Sequence, residues 1–187
     1  MLDQVVTHFK VDHVELVPTF QNPFKGDTYF SEINRLNALK AYLPYLPQHQ
    51  IPTTYAISDI ELKQKKVCYT IDTINTFREL YPNDRLMLLI GSDNFFGLHQ
   101  WKFFRKILEQ VTLCVIRRDH LKLDSYKNYI YDHLHQKEFT SIMVIGNTVC
   151  QISSTEIREK IISNDSVKDV IPKLVCDALH ISESEKS

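Results

Sequence analysis

The sequence predicts an α/β protein, a Rossmann-like parallel sheet with helices on both faces. Two observations carry that expectation. Strand-like and helix-like segments alternate along the chain, and alternation implies the crossover connections that build parallel sheets. Residues 85–90 (RLMLLI) and 111–116 (VTLCVI) are continuously apolar, as strands buried on both faces are.

The elements follow in order. Residues 11–17 (VDHVELV) read as a strand stopped by Pro18. Residues 29–43 place Phe30, Ile33, Leu36, Leu39 and Leu43 on a helical stripe. Residues 53–60 are strand-like. Ile71, Ile74, Phe77 and Leu80 mark a second helix, and the strand at 85–90 ends at Gly91. A short helix is expected at 101–108, a strand at 111–116 and a polar helix at about 123–136. The last strand is 140–145 (TSIMVI), and helices at 154–162 and 171–179 close the chain. One domain over 1–182 and a polar tail at 183–187 are expected.

Composition narrows the function classes. The 187 residues are 43% apolar and 24% charged, which is globular. Lys plus Arg is 22 against 23 acidic residues, a net charge of -1, so no broad nucleic-acid surface is expected; a local basic pocket stays open. The four glycines, Gly26, Gly91, Gly97 and Gly146, form neither a Walker loop nor a GxGxxG fingerprint. Cys68, Cys114, Cys150 and Cys176 contain no CxxC pair, which excludes a zinc ribbon and predicts buried thiols in a reducing cytoplasm. The opening MLDQVVTHFK is too polar for a signal peptide, and no run of about 18 apolar residues predicts a membrane span.

Ligands of parallel sheets sit at the carboxyl ends of the strands, which directs attention to the residues just after each one. Gly91 permits a tight turn there, leaving Asp93 facing the crevice, where it could meet a ribose or a metal. Trp101, the only tryptophan, is either a core residue or a platform for a flat heteroaromatic ring. Arg117 and Arg118 end the next strand, as a phosphate clamp or a solvated pair. In CYTIDTI the backbone N–H groups of Tyr69 and Thr70 could receive a carboxylate; Asp72 or Thr73 could instead simply cap the helix. Ser153 and Glu156 have capping-box spacing, so Ile152, Ser153, Ser154 and Thr155 open a helix whose free N–H groups, with Arg158, could hold an anion. Lys25 closes the loop VPTFQNPFK and could reach a phosphate. His133 and His135 are two apart on a helix and make poor joint ligands. No nucleophile–base pair is recognisable.

Taken in chain order, VPTFQNPFK, a helix with Arg35, CYTIDT, IGSDNFFGLHQW with Arg117–Arg118, and ISSTEIR resemble bacterial nicotinate-nucleotide adenylyltransferases of the nucleotidylyltransferase superfamily. The resemblance covers about residues 11–180. It implies attack of nicotinate mononucleotide on the α-phosphate of ATP, with Mg²⁺ carried by ATP, in cytoplasmic NAD biosynthesis. It places the pyridine carboxylate on Tyr69 and Thr70, the ring on Trp101 and a phosphate near Lys25. Asp93, Arg118, Ile152, Ser153, Ser154, Thr155 and Arg158 fall on the ATP side, with Lys25 and Arg158 as the catalytic cations.

The sequence departs from that family in one large way. Its members open with a strand and a GxFxPxHxGH loop, and no HxGH occurs here. MLDQVVTHFK resembles the second half of the family's first helix, so the first strand and its loop are expected to be missing. Strands flanking that position would lose a partner, and the chain as written is expected to be poorly stable and to turn over little. A start codon placed too late is the simplest account. Smaller departures are Phe24 before Lys25, Asn34 before Arg35 and Asp119–His120 after the arginines. Two alternatives stay open: a nucleotidylyltransferase for nicotinamide mononucleotide or phosphopantetheine, and a non-catalytic mononucleotide-binding paralogue.

Overall fold

The computed structural model describes residues 2–21, 29–47, 52–134, 142–146, 154–163, 165–167 and 169–181. Helices and strands alternate as α1 (Leu2–Phe9), β1 (His13–Leu16), α2 (Glu32–Tyr42), β2 (Thr54–Ile57), α3 (Ile60–Gln64) and α4 (Thr70–Leu80). Then come β3 (Met87–Gly91), α5 (Ser92–Phe95), α6 (Phe104–Gln110), β4 (Thr112–Ile116), α7 (Leu123–Tyr129), β5 (Ile142–Ile145), α8 (Ser154–Ile162) and α9 (Lys173–Ala178). Every pairing is parallel, which bears out the fold class. Among the described residues the strands form two ladders, β1–β2 and β3–β4–β5, so β1, β2, β3 and β5 each leave one edge without a partner strand there. The contacts group the chain into two compact units, one of residues 1–5 and 69–151, the other of residues 6–68 and 152–187.

In the first unit β4 lies between β3 and β5, in a register that sets Gly91 opposite Ile116. Leu113, Cys114 and Val115 are wholly inaccessible, as their unbroken apolar run predicted for a strand covered on both faces. Burial also pushes the Cys114 thiol up to about 11, so it stays protonated and inert. Phe95, Leu98, Tyr126, Tyr129 and Leu134 pack on the sheet in one cluster, and Ile71, Ile74, Ile107 and Val111 in another.

Two expected helices are modified here. The one expected from Trp101 starts at Phe104, because a 3-10 turn at Leu98–Gln100 and a left-handed Phe103 (φ 55) intervene. The polar helix is α7 continued by one wide π turn at Ile130–Leu134. Gly97 precedes the first interruption as the cap of its 3-10 turn, while the π turn carries no proline or glycine.

In the second unit Ser31 caps α2, accepting from the Asn34 N–H at 3.2 Å. Helix α2 packs against α9, and Ile33, expected on the buried stripe, is 70% exposed. The Arg35 guanidinium donates to the carbonyls of Thr19, Phe20 and Phe30, tying the chain after β1 to α2. Among the described residues no helix is long and apolar enough to cross a membrane.

Candidate active site

Strand β3 runs straight into the short helix α5 through Gly91. A Cβ on Gly91 would lie 2.3 Å from Asp93 Oδ1 and 2.7 Å from Arg118 Cδ, so any larger residue must displace those two side chains. Glycine here leaves room for the pair, since its φ of -80° suits any residue. Asp93 Oδ1 and Arg118 Nη1 are 3.7 Å apart on partly exposed side chains. A pair so solvated contributes little stability. Its interest is that two residues assigned from sequence to one ligand lie side by side at the carboxyl ends of β3 and β4. Substituting Gly91→Ala is expected to push both aside and weaken ATP binding by about three- to tenfold, roughly 0.7–1.4 kcal/mol. Calorimetric titration with Mg-ATP checks this; an unaltered affinity would place ATP away from the pair.

Behind the pair lies a network the sequence did not disclose. Ser92 is 1% exposed, and its Oγ accepts from the Arg118 N–H at 3.0 Å. Asp119 accepts from the Tyr126 hydroxyl at 2.9 and 3.0 Å and from the Leu121 N–H at 3.0 Å. Burial raises the Asp119 carboxyl, but hydrogen bonds from Ser92, Tyr126 and Leu121, with the Arg117 charge, outweigh it and hold the group below its usual value. Burial pushes the Tyr126 phenol up, so it remains a donor. Arg117 does not face Asp93; its Nη2 donates to the Leu121 carbonyl at 2.5 Å and its guanidinium lies 6.0 Å from the Tyr126 ring centroid. Of the two arginines only Arg118 stands beside Asp93.

The second group of residues surrounds the start of α4. Tyr69 is its N-cap, in extended conformation, and its side chain makes no cap hydrogen bond. The first-turn N–H groups of such a helix have no partner within it and carry the positive end of its dipole. Trp101 is half-buried and packs on the Ile71–Ile107 cluster that Tyr69 also covers. The indole is thus neither sunk in the core nor remote from the Tyr69–Thr70 turn.

Trp101 is held by the turn before it. Its N–H donates to the carbonyl of Leu98, a wholly buried residue. The Tyr129 hydroxyl accepts from the His99 N–H at 3.3 Å and lies 2.7 Å from His99 Nδ1. The His99 ring stacks on His133, with centroids 4.7 Å apart. His133 is thus a packing partner, while His135 lies outside the described residues. Tyr129 and His99 were not foreseen as supports.

In the other unit Arg158 Nη2 donates to Thr155 Oγ1 at 3.1 Å along the first turn of α8. Ser154 is the first residue of that helix. Lys25, Ile152 and Ser153, together with Cys150 and the 183–187 tail, fall outside the described residues. Among the described residues no three His, Cys, Asp or Glu side chains converge as a metal cluster.

Comparison with known proteins gives the class first. The model of the cytidylyltransferase-like family matches residues 1–160. A relative from Aquifex aeolicus is 33% identical over 81% of this chain and 87% of its own. One from Leptospira borgpetersenii serovar Hardjo-bovis is 31% identical over 87% and 75% respectively. Both carry the name "Probable nicotinate-nucleotide adenylyltransferase". In fold, the chain matches the Plasmodium falciparum nicotinic acid mononucleotide adenylyltransferase complexed with NaAD, at a TM-score of 0.75 and 21% identity. That match covers 96% of this chain and 85% of the other. The chain belongs to the cytidylyltransferase-like family and, within it, to the nicotinate-nucleotide adenylyltransferases.

Proposed function

We propose that this chain carries the site that joins nicotinate mononucleotide to ATP, giving deamido-NAD and pyrophosphate in NAD biosynthesis. A phosphate oxygen of the mononucleotide attacks the α-phosphorus of ATP. The bond from that phosphorus to the bridging oxygen of the β-phosphate breaks, and pyrophosphate leaves with the electron pair. The nucleophile is already ionised near neutral pH, so the reaction needs alignment and charge stabilisation rather than a protein base.

The observation that carries this reading is that Trp101 and Tyr69, the N-cap of α4, pack on the same apolar cluster. A pyridine ring laid on the indole would send its carboxylate to the N–H groups of Tyr69 and Thr70. Asp93 and Arg118 would meet ATP at the strand ends. Lys25 and Arg158 would be the cations on transferring phosphate, with Ile152, Ser153, Ser154 and Thr155 along the nucleotide. The chemistry of the donor set suits Mg²⁺ brought by the triphosphate, since one carboxylate, Asp93, stands where it could assist. That ion would neutralise charge on the phosphates. Buried cysteines at Cys68, Cys114 and Cys176 suit the cytoplasm as the compartment.

Binding is the direct test, because the family's HxGH does not occur in this sequence. Trp101 is the only tryptophan, so its fluorescence reports on the pocket alone. Nicotinate mononucleotide is expected to quench it saturably. No saturable change, with calorimetry also silent, would overturn the assignment.

A further inference from the structure

We propose that Lys102 selects the acid form of the mononucleotide over the amide; this rests on the reading of Trp101 and the Tyr69–Thr70 turn given above. The Lys102 ammonium lies 4.2 Å from the centroid of the Tyr69 ring, and Lys102 directly follows Trp101. One cation therefore stands over the residue whose backbone would receive the carboxylate, next to the residue that would hold the ring. No carboxylate pairs with Lys102 among the described residues. Arg105 and Lys106 follow in the first turn of α6, in a chain whose net charge is -1.

The backbone changes direction just after Lys102. Phe103 is left-handed, at φ 55 and ψ 38, a conformation rare for a large aromatic residue and usually found where the surroundings impose it. It breaks the chain between the 3-10 turn and α6, and its ring lies 5.7 Å from the Lys102 ammonium and 5.4 Å from that of Lys106. Continuous helix from Trp101 would not have this turn. An ammonium over an aromatic face is attracted to the ring. A carboxylate arriving at the amides of Tyr69 and Thr70 would gain from it, and a carboxamide, being neutral, would not.

The test compares equilibrium binding of nicotinate mononucleotide and nicotinamide mononucleotide, by Trp101 fluorescence and calorimetry. Wild type is expected to prefer the acid. Lys102→Met, similar in length and uncharged, is expected to lower that preference about five- to tenfold, with the loss on the acid. Lys102→Arg should retain the preference and Lys102→Glu should abolish or reverse it. A Lys102→Met preference within about twofold of wild type would overturn the inference, and so would equal losses on both ligands, which would mean a role at the shared phosphate or in packing. Wild type that binds neither mononucleotide would instead overturn the functional reading on which the inference stands.

Discussion

Replacing Trp101 with leucine is expected to lower affinity for nicotinate mononucleotide by about ten- to a hundredfold. Stacking of a heteroaromatic base on an aromatic side chain is worth about 1–3 kcal/mol by side-chain truncation. Leucine keeps apolar contact with the Ile71–Ile107 cluster but offers no flat face. Calorimetry is the appropriate readout, since the substitution removes the fluorophore. Mg-ATP affinity in the same protein should fall far less, because Asp93 pairs with Arg118, whose backbone is held by Ser92. A variant that binds the mononucleotide as well as wild type would remove Trp101 from the site. Equal losses on both ligands would point to general disturbance of the unit.

Asp119→Ala is expected to destabilise the chain by about 2 kcal/mol, the cost of leaving a buried hydroxyl and an N–H without their acceptor. Tyr126 is 1% exposed, so its hydroxyl has little access to replacement water. For a chain of this length that is a fall in Tm of about 4–8 °C in a thermal melt. The effect should depend on pH with a definite sign. The folded state holds the Asp119 carboxyl below its ordinary value. Its contribution is therefore complete above the unfolded value of about 3.9 and disappears as pH falls through the lower folded one. Wild type and variant melts should accordingly converge in acid. A constant gap down to the most acidic pH tested would mean that the carboxylate's charge is immaterial.

Much of the fold was legible because its signals are local. Continuous apolar runs identified β3 and β4, and a three-residue spacing identified α4. Of the candidate site, Trp101, Tyr69, Thr70, Asp93 and Arg118 were named from sequence, and all lie in the unit built on β3–β4–β5. Their supports were not named. Ser92, Tyr126, Tyr129 and His99 look like ordinary polar or aromatic residues until partners from other segments meet them. Lys102 would have read as one more surface lysine. The only hint was its place after the single tryptophan.

The chain order of residue types by itself determined the alternation of elements and the two-sided burial of β4. These depend on periodicity and size within a few neighbours. Only the tertiary structure decided that Arg118 rather than Arg117 stands beside Asp93, and that Lys102 lies over Tyr69. The physical reason is register. Setting Gly91 opposite Ile116 fixes which strand-end residues meet, and the left-handed Phe103 turns the chain back after Trp101. Both follow from packing of distant segments, whose energy no short stretch of sequence contains.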